Sequence, residues 1–249
     1  MNYSSFSARP APYDEEAGSV LIWIMMVVLL FAAVTAVVNH GSRTQGSLMT
    51  EQQARIQAME IIAFGNDLRQ AVQTLRIGGC MEEQISFTND TYRGVGSSTA
   101  LFGANHNGNA PTDQSCDVFA DAGAGLSATR FAVATSEDNT GTARAGDALF
   151  AVAQVEGIGS ADPELVVYLE KINPQICDTI SQLLAVTSSG EEAPVDPSGG
   201  SMALYHGAFD AVSYPVFGDQ SSALAGKNAF CAKSASGGAG VFVSVLIAR

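Results

Sequence analysis

The chain has 249 residues, a formal net charge of −13 and only three lysines, Lys171, Lys227 and Lys233. It has no basic stripe to neutralise a phosphate backbone, which argues against nucleic acid as a partner. The roughly 200 residues beyond the N-terminal portion are enough to bury a sizeable core, so the four cysteines supplement that core and do not replace it. The acidity speaks to a solvated exterior and not to the fold.

In chain order, residues 1–18 form a short leader or cytoplasmic segment in which Asp14, Glu15 and Glu16 outnumber the single basic residue, Arg9. Ser19 to Val38 then reads SVLIWIMMVVLLFAAVTAVV, without a charge. Twenty helical residues at 1.5 Å each cover a hydrocarbon core of about 30 Å, so this run is expected to be a transmembrane helix. A cleaved secretory signal is the competing reading. Its apolar region is usually shorter and follows a positive start, and no Ala-x-Ala site follows Val38. Trp23, near one end of the span, reads either as an interface anchor or as a packing residue against neighbouring helices.

Orientation draws on opposed signals. Arg43 and Arg55 follow the segment, which by the positive-inside bias would hold the C-terminal part in the cytoplasm. Cys80, Cys116, Cys177 and Cys231 all lie on that same side, with no Cys-x-x-Cys or Cys/His metal spacing. An even, well-spread set suits disulfides in an oxidising compartment, which favours an ectodomain outside the cytoplasm.

Residues 39–79 are expected to continue as an amphipathic helix. Met49, Ile56, Met59, Ile62, Leu68, Val72 and Leu75 recur mostly at threes and fours, and Gly78 and Gly79 end the pattern. Asn39 to Ser42 are poor helix formers that would bend or melt the junction with the membrane half. From Cys80 to Arg249 the text predicts a disulfide-bearing α+β ectodomain. Gln84 to Arg93 reads as a short strand, followed to about Ser127 by a polar loop holding Cys116, which a bond from Cys80 would staple to the helix end. Phe131 to Thr135 and Ala148 to Val155 read as a hairpin around SEDNTGTARAGD, and Leu165 to Leu169 as a further strand. Asn173 and Pro174 open a short helix to Leu184, residues 187–200 form a surface loop, and two strands around a glycine-rich turn close the chain, the last from Val241 to Ala248.

Candidate chemistry is sparse. His40, His106 and His206 are the only imidazoles, and no nucleophile elbow, zinc-protease, Walker or dinucleotide fingerprint occurs in strand and helix context. His206 beside Asp210 would be the seat of a hydrolase, against the commoner reading of an ordinary surface histidine. Glu137, Asp138, Asn139 and Asp147 offer oxygen ligands for calcium but lack the alternating spacing of an EF-hand, so a solvated turn is the plainer reading. No cofactor is expected.

The apolar helix that continues as an amphipathic one, followed by an antiparallel sheet with a late disulfide, resembles the type IV pilin and pseudopilin superfamily. Gly18 directly before the apolar run sits where prepilins are cut, making Ser19 the mature N-terminus by that resemblance. INPQICDTISQLL, with Cys177, looks like the segment that opens the disulfide-bounded region of type IVb pilins, and NAFCAKS, with Cys231, looks like the one that closes it. Two departures stand out: the acids of the leader, and Trp23 in the place of the usual glutamate. Certain minor pilins and one tip pseudopilin also lack that glutamate.

The resemblance implies a pilin-like α+β fold, with a long N-terminal helix on an antiparallel sheet. It implies a non-enzymatic minor subunit of a type IV pilus or a type II secretion-like filament, held in a bacterial inner membrane through Ser19 to Val38 with its ectodomain in the periplasm. Its partners would be other pilin-like subunits, the assembly machinery, and a surface or secreted-protein ligand. Of three ways to pair four cysteines, Cys80 with Cys116 and Cys177 with Cys231 each join sequence neighbours, and the second pair is the one the resemblance implies. The rival from another class is a permanently anchored periplasmic binding or scaffold protein.

Overall fold

The computed structural model describes residues 22–30, 50–104, 106–135, 142–187, 190, 192–197, 203–210, 213–235 and 238–249. The chain divides into two units, Met1–Met49 and Thr50–Arg249. In the first, residues 22–30 are helical and every one of them is exposed. Gly18, Ser19 and most of the expected membrane span lie outside the described residues. Among the described residues no helix is long and apolar enough to cross a membrane.

The second unit opens with helix α1, Glu51–Ile77. Thr50 caps it reciprocally: its hydroxyl accepts from Gln53 N at 3.3 Å while Gln53 Oε1 accepts from Thr50 N at 3.2 Å. Gly79, at φ +101°, ends the helix in a left-handed turn. Gly79 N donates to Arg76 O and Cys80 N to Leu75 O, the paired bonds of a Schellman motif. That turn aims Cys80 at Cys116, to which it is bonded.

Six strands follow: β1 Ala148–Val155, β2 Glu164–Ile172, β3 Ala203–Leu204, β4 Val216–Phe217, β5 Ala229–Lys233 and β6 Gly240–Ile247; helix α2, Pro174–Leu183, follows β2. The sheet runs β3-β1-β2-β6-β5, antiparallel throughout, with β4 joining the end of β1 in parallel. β1, β2 and β6 are buried along nearly their whole length, so they read as apolar runs and not as alternating ones, because both faces of the sheet are covered.

On one face lies α1. A Cβ added at Gly65 would meet Phe242 Cζ at 3.1 Å and Ser244 Cβ at 3.2 Å, so the glycine allows helix and strand this approach. Arg69 ties the same crossing, its guanidinium donating to Val245 O, Asn228 O and Ser244 Oγ at 2.8 to 3.0 Å. The buried seam of α1 is Ala54, Ala58, Ile61, Phe64, Gly65, Leu68, Val72 and Leu75. This corrects the expected apolar stripe in its first half: Ile56 and Met59 are about half exposed, on the side away from the seam. Small alanines take the inward positions there.

On the other face, the expected strand Gln84 to Arg93 and the expected polar loop after it together carry a core. Phe150 of β1 stacks on Phe87 with centroids 3.9 Å apart and meets Phe102 edge-on at 5.3 Å, with Tyr92 and Phe119 close by. Each such ring removed from water contributes about 1.5 to 3 kcal/mol.

The expected strand Gln84 to Arg93 is not formed. A 3-10 turn, Glu82–Gln84, gives way to irregular chain with isolated bridges. Its polar side chains compete for the backbone: Asn89 Oδ1 accepts from Thr91 N and Tyr92 N, and Asp117 Oδ2 accepts from Ser86 Oγ and Thr88 N. Phe131 to Thr135 is a turn with one bridge from Thr135 to Ile172 and does not pair with β1, whose partners are β2, β3 and β4. The expected strands at Ala148–Val155, in β2 and at the C-terminal pair are present, as is the Asn173-capped helix.

Candidate functional site

Both disulfides pair sequence neighbours, Cys80 with Cys116 and Cys177 with Cys231. The second joins α2 to β5 over Gly240 of β6, where a Cβ would collide with Cys177 Sγ. Polar groups surround it. Ser181 Oγ donates to Cys231 O at 2.9 Å, Lys233 Nζ lies 2.6 Å from Asp178 Oδ1, and that oxygen also accepts from Ala193 N at 2.7 Å. Pro194 to Asp196 run parallel to Lys233, exchanging two backbone bonds of 2.8 Å with it. In the chain-entropy model, closing loops with separations of 36 and 54 residues stabilises by about 4 kcal/mol each.

His206 is placed beside His106, with ring centroids 4.7 Å apart, and not in a bond with Asp210. The His106 ring also lies edge-on to Phe102, and neither of its nitrogens has a hydrogen-bond partner. Burial, and then the neighbouring His206, lower its pKa to about 4, so this pair holds a neutral imidazole in an apolar setting and is not arranged as a nucleophile-base couple. Of the calcium candidates, Glu137, Asp138 and Asn139 lie outside the described residues. Asp147 is buried and already neutralised by Arg130 at 3.0 Å and Arg144 at 3.2 Å, and it accepts from Arg93 N. Its role is to fix three chain segments.

Glu164, at the turn end of the β1–β2 hairpin, was not singled out by sequence. Its Oε2 accepts from Val155 N at 2.9 Å, Oε1 has no partner, and burial pushes its pKa up to about 7. A lone glutamate in a strand gives no sequence signal of this kind.

Trp23 lies in the exposed 22–30 helix at 67 % exposure. In the second unit, the outward side of α1 presents Ile56 and Met59. Beside it, Glu60, Ala63, Phe64 and Asp67 form one wall of an open groove whose other wall is residues 125–131.

No family model, curated protein or solved structure matches this chain. The functional reading rests on the chain's own features.

Proposed function

We propose that this chain is a non-enzymatic minor pilin-like or pseudopilin-like subunit of a type IV pilus or type II secretion-like filament. Its apolar segment Ser19 to Val38 is stored in the inner membrane and then packed among the helices of other subunits, while the ectodomain initiates assembly or displays a surface. One observation carries the reading: a 27-residue helix lies across an antiparallel sheet whose penultimate strand is bridged by Cys177–Cys231 to the helix after β2. Upstream of that helix stands an uncharged run directly after Gly18.

The test is the mass of the N-terminus of protein purified from its own envelope. A chain beginning at Ser19, with or without methylation, supports the proposal. An intact Met1 overturns it in favour of a permanently anchored periplasmic binding or scaffold protein.

A further inference from the structure

Between α1 and residues 125–131 lies a groove of about 510 Å³. Its floor is aromatic: Phe64 and Phe131 are 6 % and 5 % exposed and lie with centroids 5.3 Å apart. Glu60 and Asp67, seven residues apart on α1 and so on one face, stand along one wall, and among the described residues no lysine, arginine or histidine lines the groove. Glu60 Oε2 accepts only from the Gln57 amide at 3.1 Å, and Asp67 has no partner among the described residues. Arg130 belongs to the far-wall segment but does not line the groove; its guanidinium is held by Asp147. Ile56, four residues before Glu60, extends the wall with exposed apolar surface.

We propose that this groove is a docking site for a partner protein, and that it receives an amphipathic segment placing a lysine or arginine between the two carboxylates, with apolar side chains against Leu126 and Ile56. Charge complementarity selects this occupant. Two uncompensated carboxylates on one wall of a groove attract a cation by charge, and they penalise an acidic or purely apolar segment. The chain's formal charge of −13 adds a long-range field that steers cationic partners. This site is independent of N-terminal processing, so its failure would leave the filament reading untouched.

A photo-crosslinking residue at Ala63, in the full chain expressed in its native cells, tests the proposal, with a second at exposed Ile77 on the same helix as the control. The expected product joins Ala63 to another protein, and peptide mapping places the bond in a segment with Lys or Arg flanked by apolar residues. Glu60→Lys with Asp67→Lys, both on the surface, lowers that yield about tenfold or more and leaves Ile77 products unchanged. Four outcomes overturn the proposal: a product with this chain itself or with lipid, a mapped segment without a basic residue, a yield indifferent to charge reversal, or no product above background.

Discussion

Lys233 Nζ lies 2.6 Å from Asp178 Oδ1, with the lysine side chain only 3 % exposed. The two residues follow Cys231 and Cys177 closely, so a cross-link and an ion pair hold the same contact between α2 and β5. A buried ammonium that loses its carboxylate keeps its desolvation cost without the compensating attraction.

Asp178→Asn therefore destabilises by about 2 to 4 kcal/mol in urea unfolding, although the amide oxygen can still accept from Ala193 N. Lys233→Met in the Asp178→Asn background recovers most of the loss, because no unpaired charge is left. Single variants within about 0.5 kcal/mol of wild type would mean that the pair behaves as a solvated surface contact.

Two groups whose titrating atoms are buried give stability opposite slopes with pH. Glu164 keeps its proton in the folded chain up to about pH 7 but releases it near 4.5 when unfolded, so stability falls as pH rises through that window. His106 stays neutral in the folded chain down to about pH 4 but takes a proton below 6.5 when unfolded, so stability falls as pH drops from 6.5 to 4. Between about 4.5 and 6.5 the two offset each other. Glu164→Gln leaves the rising limb alone and stabilises at pH 8 by about 1 to 3 kcal/mol. His106→Phe leaves the falling limb. Thermal melts across pH 4 to 8 that give both variants the wild-type profile would show that neither group is perturbed by folding.

At Gly65 two effects compete. Alanine gains up to about 1 kcal/mol of helix propensity, against a Cβ placed 3.1 Å from Phe242 Cζ. Gly65→Ala is expected within about 1 kcal/mol of wild type, whereas Gly65→Leu overpacks the crossing and costs about 3 kcal/mol or more. Denaturation midpoints for the pair decide it, and a tolerated leucine would mean that α1 can move off β6.

If this chain is the filament subunit proposed above, Trp23 bears on its place there. In the resembling family, a glutamate at this position is thought to neutralise the N-terminal ammonium of the subunit ahead, and an unpaired charge among apolar helices is costly. A chain with Trp23 cannot supply that carboxylate, which suits one position at the tip and not a repeated one along the shaft. Quantitative mass spectrometry of purified filaments is expected to find a few copies each. Abundance near that of the major subunit would overturn the tip position.

The sequence by itself determined what depends on local chemistry. Gly78 and Gly79 marked the end of α1 because a Schellman turn needs a left-handed residue, and Asn173 with Pro174 marked the start of α2 because cap and fixed φ act within four residues. Apolar runs marked β1, β2 and β6, since strands covered on both faces need no alternation. Only the tertiary structure decided what depends on distant partners. Ala54 and Ala58 replaced Ile56 and Met59 on the inward side of α1, where small side chains occupy the buried seam. Phe87, Tyr92 and Phe102, scattered through glycine- and asparagine-rich text, became a core because Phe150 gathers them on the sheet. The groove combines residues of α1 with residues more than fifty positions later. Such a site has no period or spacing to read, because its parts meet only once helix and loop are folded on the sheet.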